Sequence, residues 1–345
     1  VAAPARFGQT KKKSRRRVRE GIVKAIFGLA IALSLLAAPA APAQTSYPEQ
    51  TVRILVGFPA GTAPDVAARL VADKLSVSLG KPFVVENVSG ANGNIACDRV
   101  AKAAPDGYTL VMCGNGSLIF GPSLYTKLPY DPVKDFAPIS QVFVAANIFV
   151  VHPDVPAKSI AELVALARAK PGELTYGHTG IGSSQHLAAE LFKSMAKVDI
   201  QPIGYRGSTA VLPDLLAGRI TMGFTNIVNV APLAKEGKLR AFAVTSRKRS
   251  PIMADLPTMA ESGFPGYEAV PWFGLMAPAG TPQPIIEKLH RETVKALAIP
   301  EVRLAMETQG LDPIGGTPAE FAAAIKSETP YWANIIKEAG IKVSE

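Results

Sequence analysis

Two stretches of the chain set glycines between a β-branched apolar run and a helical pattern: ILVGFPAGTAPDVAARL at residues 54–70 and LTYGHTGIGSSQHLAAELF at residues 174–192. In each, a buried strand runs into a loop of small residues and then into a helix. Loops of this kind lie at the carboxyl ends of parallel strands, where α/β folds bind their ligands. The first N–H groups of a helix lack intrahelical acceptors and sit at the positive end of its dipole, so they favour anions. Glycine at 61, 180 and 182 lets a small ligand approach the main chain with no side chain in the way.

The spacing excludes several chemistries. Neither loop carries G-x-x-x-x-G-K-[ST], and Gly180-x-Gly182 lacks the third glycine of a dinucleotide fingerprint, which leaves small carboxylates. Ser183, Ser184 and His186 suggest hydrolysis at first sight. However, neighbours two apart on a helix face away from each other, and G-x-S-x-G is absent because Gln185 and His186 follow Ser184. Ser183 or Ser184 suits a helix cap, His186 suits a packed helix position, and no catalytic residue is expected. An exported α/β hydrolase of small esters or amides is the competing reading; it needs a nucleophile, a base and an orienting acid within reach. A protein-binding module, the third reading, would expose an apolar patch in place of a polar cleft. Two cysteines and four histidines (152, 178, 186, 290) have no metal-ligand spacing, so neither metal nor cofactor is expected. Asn115, just past the strand that ends at Cys113, is either a plain turn residue or a third contributor to the same cleft.

The elements that must position these loops alternate along the whole chain. Apolar β-branched runs predict strands at 52–58, 83–86, 108–113, 148–152, 174–177, 200–205, 220–225, 239–245 and 273–277. Between them lie helical patterns such as Val66, Leu70 and Val71 before Gly80, or Leu187, Leu191 and Met195 at four-residue spacing. Ser159 with Glu162, and Thr317 with Glu320, read as capping boxes. Strand–helix alternation of this sort means α/β with parallel or mixed sheets. The period breaks at 130–138 and again at 250–272, where the chain would cross between two domains: a discontinuous first one, 44–144 with 274–345, and a second one, 145–273. Cys97 and Cys113, 16 positions apart, are either a disulfide or two buried thiols.

The formal charge of +9 is concentrated at one end, because nine basic residues and one acid precede residue 44. The remainder carries about +1, so the basic pI says nothing about nucleic acid, and none is expected as a partner. That front segment has the layout of a secretory signal over residues 1–43: basic residues, the apolar run 25–38, then Ala41-Pro42-Ala43 before Gln44. Fourteen apolar residues fall short of the roughly 20 of a membrane span. Val1 in place of methionine predicts a valine-read start codon, and Val18 would begin a leader of more usual length.

From Tyr47 onward the chain resembles the substrate-binding proteins of tripartite tricarboxylate transporters, the Bug family of exported solute receptors. The resemblance rests on Val56-Gly-Phe-Pro-Ala-Gly61 with Asp65, Ala104-Pro-Asp-Gly-Tyr-Thr-Leu110, Leu128-Pro-Tyr-Asp-Pro132, Gly180-x-Gly-Ser183 with His186, Tyr205-x-Gly207, Ala241-x-Ala-Val-Thr-Ser246 and Trp272-Phe-Gly274 with Ala277-Pro-Ala-Gly-Thr-Pro282. It implies a two-lobe, type II periplasmic binding protein that closes like a flytrap on a small carboxylate. Phe58, Ala60, Gly61, Thr62 and Asp65 would form one wall and Gly180, Gly182, Ser183 and Ser184 the other, with Asn115 as a further candidate. The protein would be a periplasmic monomer delivering its ligand to membrane transporter subunits or to a sensor. Three departures bear on the ligand. Thr62, Ala63 and Pro64 replace the usual glycines, and Pro64 removes an amide donor. Thr221 and Thr225 stand where aspartates are common, which points to an amine-free mono- or dicarboxylate and places Thr225 in the site. His178 replaces a small residue and would narrow the cleft or contact the anion.

Overall fold

The computed structural model describes residues 47–205 and 208–342, and the elements below belong to a compact unit beginning at Pro48. The leader expected over 1–43 lies outside the described residues. Among the described residues, no helix is long and apolar enough to cross a membrane.

The strands β1 (Val52–Val56), β2 (Phe83–Asn87), β3 (Thr109–Gly114), β4 (Phe136–Ala145), β10 (Trp272–Pro278) and β11 (Leu311–Pro313) form one sheet, in the order β11-β4-β10-β3-β1-β2. A second sheet, β7-β6-β8-β5-β9, holds β5 (Asn147–Val151), β6 (Thr175–His178), β7 (Gln201–Gly204), β8 (Met222–Asn226) and β9 (Arg240–Val244). The chain passes from the first sheet to the second at Ala146 and returns through residues 245–271. β1 is parallel to both neighbours, as is β6. All five residues of β5 and three in a row of β1 are buried, the continuous apolar signature of strands covered on both faces.

Nine strands coincide with the runs expected from sequence; β4 and β11 were not anticipated. In β4, Pro138, Ser140 and Gln141 interrupt the apolar alternation. The sheet tolerates them because the β4–β10 pairing shifts register twice, between Phe273 and Gly274 and between Leu275 and Met276, and such bulges absorb a residue that cannot hold the ladder. β11 is three residues long, too short to show a period.

The helices are α1 (Ala63–Leu79), α2 (Asn94–Ala101), α3 (Gly121–Leu124), α4 (Ile160–Ala169), α5 (Ser184–Ala196), α6 (Ser208–Leu216), α7 (Ile227–Lys235), α8 (Gln283–Ala298), α9 (Pro300–Glu307) and α10 (Pro318–Glu338). Of the two anticipated boxes, Thr317 with Glu320 forms in full; at Ser159 half forms, its hydroxyl accepting the Glu162 N–H while the Glu162 carboxylate accepts the Lys158 N–H. Gly80 ends α1 in the left-handed conformation (φ 70°) that glycine adopts without strain.

One apolar core runs through both sheets. Phe149 of β5 stacks on Phe224 of β8 at 4.5 Å between ring centroids and meets Phe192 of α5 at 5.0 Å. Trp332 of α10 stands edge-on to Phe120 at 5.2 Å, and the Tyr267 hydroxyl donates to the Ala188 carbonyl at 2.7 Å. Each such ring, fully buried, stabilises by about 1.5–3 kcal/mol. Cys97 of α2 and Cys113 of β3 are joined in a disulfide across 16 positions, so the paired reading of the two cysteines is the one that holds. It fastens the segment carrying α2 to the strand beside β1.

Candidate functional site

The first glycine loop, 57–62, leaves the carboxyl end of β1, and a buried carboxylate organises it. Asp65, with a side chain 3% exposed, accepts the Gly61 N–H (2.8 Å), the Asn87 amide (2.8 Å) and two Arg69 guanidinium bonds (3.1 and 2.9 Å). Asn87 also donates to the Phe58 carbonyl at 2.9 Å. Burial alone would raise the Asp65 carboxyl, but the bonds from Arg69, Gly61 and Asn87 outweigh it and hold the carboxyl below its usual range. Asp65 therefore supports the loop from beneath, its oxygens already engaged. The Thr62 hydroxyl turns back onto the Pro59 carbonyl at 2.6 Å. Pro59, Ala60 and Gly61 are exposed. Gly57 could carry no other side chain here, since a Cβ would lie 2.4 Å from the Gly93 Cα.

Two histidines organise the second loop, 179–183, after β6. The Gly180 N–H donates to His178 Nδ1 (3.2 Å) and the Gly182 N–H to His186 Nδ1 (3.1 Å). The two rings stack at 4.3 Å with 13° between planes. Ser183 is the N-cap of α5, its hydroxyl accepting the His186 N–H at 3.2 Å. The Gln185 side-chain oxygen Oε1 gathers the Thr179 hydroxyl (2.9 Å) and the Ser184 hydroxyl (3.3 Å). Burial, with the neighbouring His178 and Lys193, pulls His186 down to about 3, and burial likewise lowers His178. Among the described residues no histidine ring is hydrogen-bonded to a serine hydroxyl: Ser183 caps the helix, and His186 Nδ1 is taken by a backbone amide. The hydrolase reading has no nucleophile–base pair here.

A strip of the first-sheet half joins the two loops. The Phe58 ring lies against Gly93, where a Cβ would stand 3.2 Å from Phe58 Cε2. One residue earlier, the Asn92 side chain donates to the Ile181 carbonyl at 3.2 Å. Leu124 of α3 covers Gly182 closely enough that a Cβ there would meet its Cδ1 at 2.2 Å. Asn92 itself has φ 53°, and its carbonyl is held by the Ser117 hydroxyl at 2.9 Å. Thus Phe58 of the first loop and Ile181 of the second both meet the turn at Asn92 and Gly93. Asn115 is buried, its amide spent on the Val270 carbonyl at 2.9 Å, tying the end of β3 to the returning crossover. Thr225, half-buried at the end of β8, pairs with Ile148 across the strand.

Sequence reasoning missed Asn92, Asn87 and Leu124. The only local signal was Asn92-Gly93, a turn dipeptide. Phe273 packs between Phe58 (5.4 Å) and Phe143 (5.3 Å), forming an aromatic wall behind the first loop. Trp272 is core, pinned by its indole N–H to Glu328 at 3.0 Å. Two surface hollows, about 320 and 460 Å³, open at the other end of the second sheet, lined by His152, Leu174 and Thr221 and by Pro153, Arg240 and Met253 respectively. They lie away from both glycine loops.

What remains available near the loops is main-chain N–H. Ala63 and Asp65 in the first turn of α1, and Ser184 and Gln185 in the first turn of α5, have no acceptor for theirs among the described residues. Two helix starts with free donors suit an anion held by hydrogen bonds, with no reacting group presented to it.

Residues 67–341 match the model of the tripartite tricarboxylate transporter family receptor. The chain is 38% identical to BugT of Bordetella pertussis over 92% of this chain and 98% of that protein. It is 37% identical to an R. palustris protein solved with adipate, at a TM-score of 0.76 over 86% of this chain and all of the other. A second Rhodopseudomonas palustris protein, MatC, solved with bound malate, is 32% identical at a TM-score of 0.72, covering 84% of this chain and all of its own. The periplasmic binding protein BugD is similar at 34% identity and a TM-score of 0.73, over 86% and 100%. The two-sheet fold is that of periplasmic binding proteins, and with a family model spanning most of its length the chain belongs to the tripartite tricarboxylate transporter receptor family, a family of solute receptors and not of enzymes.

Proposed function

We propose that the protein is an exported, periplasmic receptor that captures a small amine-free mono- or dicarboxylate between the two glycine loops. In this reading residues 44–144 with 274–345 form one lobe, residues 145–273 the other, and closure brings the α1 and α5 N-termini onto one ligand. The observation that carries it is the bridge Phe58–Gly93–Asn92–Ile181, which makes the two loops neighbours across the crossing of the chain. The anion is held by main-chain N–H groups, because the charged side chain beneath the first loop, Asp65, is negative and already engaged. Thr225, where an acid would otherwise meet an amine, supports the preference for ligands without one. That two relatives are solved with the dicarboxylates adipate and malate supports the same ligand class. The receptor acts as a monomer and hands its ligand to membrane transporter subunits or a sensor protein.

A thermal-shift and calorimetry panel of adipate, malate, glutamate and simple monocarboxylates tests this. A cognate ligand at 100 times its Kd adds about 2.7 kcal/mol of stability. An amino acid as the tightest ligand contradicts the amine-free class, and no response to any carboxylate contradicts the receptor reading.

A further inference from the structure

The second loop owes its shape to the stacked histidines. An imidazole nitrogen that accepts an N–H must carry a lone pair, so with Gly180 N–H on His178 Nδ1 and Gly182 N–H on His186 Nδ1, both rings are neutral with their protons on Nε2. Both side chains are almost wholly buried, at 4% and 6% exposed. A proton added to either ring turns its Nδ1 from acceptor to donor, faces it against a glycine N–H, and buries a charge 4.3 Å from the other ring. Gly180 (φ 135°) and Gly182 (φ 73°) hold positive-φ conformations that glycine adopts without steric penalty and that leave the loop many alternatives, so the two acceptors select among them.

We propose that His178 and His186 are positioning residues of the second glycine loop: as a neutral stacked pair they hold the Gly180 and Gly182 amides, and the first proton to enter the pair releases the loop. Gly180 and Gly182 therefore shape the loop without donating to a ligand, and the α5 amides of Ser184 and Gln185 are left for that task. The titratable groups facing the pair, among the described residues, are Tyr176 on β6 and Glu190 and Lys193 on α5. Glu190 is itself taken by the Tyr176 hydroxyl and by Lys193 at 2.8 Å, so its charge is already answered. On the β7 side Gly204 presents no side chain, and a Cβ there would lie 3.5 Å from His178 Nε2. The anchoring is independent of any ligand; only its consequence for capture rests on the receptor reading.

Nitrogen-15 NMR of the ligand-free protein tests the anchoring. The expected result is an Nε2–H tautomer on both rings from pH 8 down through the ordinary histidine value of about 6.5, with slow exchange of the Gly180 and Gly182 amide protons. An Nδ1–H tautomer on either ring, or titration of either near the ordinary histidine value of about 6.5, overturns it. Among variants, His186→Asn keeps an acceptor where Nδ1 stood and His186→Leu removes it. Exchange of the Gly182 amide should speed at least tenfold in H186L and change little in H186N. With adipate as probe at pH 7.5, affinity should fall at least tenfold in H186L and be retained in H186N. Equal adipate affinity in the wild type and both variants overturns the positioning role. A wild type that binds neither adipate nor malate counts against the receptor reading, and the amide exchange still decides the anchoring.

Discussion

The two glycine loops are held by opposite kinds of chemistry. After β1, a buried anion draws donors to itself: Asp65 collects the Gly61 amide, Asn87 and Arg69. After β6, two neutral rings accept the Gly180 and Gly182 amides. The difference shows what a receptor for anions has to reconcile. A loop rich in free N–H groups is poorly defined, yet every internal acceptor uses up a donor. The first loop spends one glycine amide and brings its own cation to neutralise the carboxylate. The second spends two amides and adds no charge at all. Both leave the first-turn amides of the following helix uncommitted.

Substitutions sharpen this contrast in order of size. Gly57→Ala puts a Cβ 2.4 Å from the Gly93 Cα, where backbone meets backbone and neither side can rotate away. It should cost about 3 kcal/mol in urea denaturation and separate Phe58 from the Asn92 bridge. Asp65→Ala strands the Gly61 amide, Asn87 and the half-exposed Arg69, and should cost about 2 kcal/mol. A loss no larger than that of a surface substitution would mean that the carboxylate does not organise the first loop.

Acid separates the loops by a third route. His186 is depressed to about 3 against an ordinary value of about 6.5. The unfolded chain thus takes up a proton that the folded chain refuses. The stability from this group is complete above about pH 6.5 and declines as pH falls toward 3, by up to about 1.4 kcal/mol per pH unit. Asp65, also held low, gives stability that is complete above the ordinary carboxylate range and is lost only as pH falls below it. Between pH 6.5 and 4.5 the stability contributed by His186 should fall and that contributed by Asp65 should not. Wild type should therefore lose more stability over that interval than His186→Asn, measured by urea unfolding at the two pH values. The smallest effect is expected from Gly61→Ala. No atom lies within 4 Å of its Cβ position, so only the left-handed φ of 80° is penalised, at about 1 kcal/mol.

Much of this arrangement was legible in the chain. Strand–glycine–helix patterns are local, and so both loops, the Ser183 cap and the Thr317 box could be read from neighbouring residues. What holds the loops could not. Asn87 reaches Asp65 across 22 positions and Asn92 reaches Ile181 across 89, pairings that only the folded sheets create. The family pattern alone puts Asp65 in the first wall; the partners of its carboxylate, one of them 22 positions away, add that it braces the loop. β4 escaped notice because its residues conform to a bulged ladder and not to a simple alternation.

Hydrogen–deuterium exchange of the free protein against the protein saturated with its tightest carboxylate tests the central claim most directly. The account predicts protection at residues 57–66 and 179–187 together, rising with the same ligand concentration. Protection confined to one loop, or found only around the hollows beside His152 and Arg240, would contradict it.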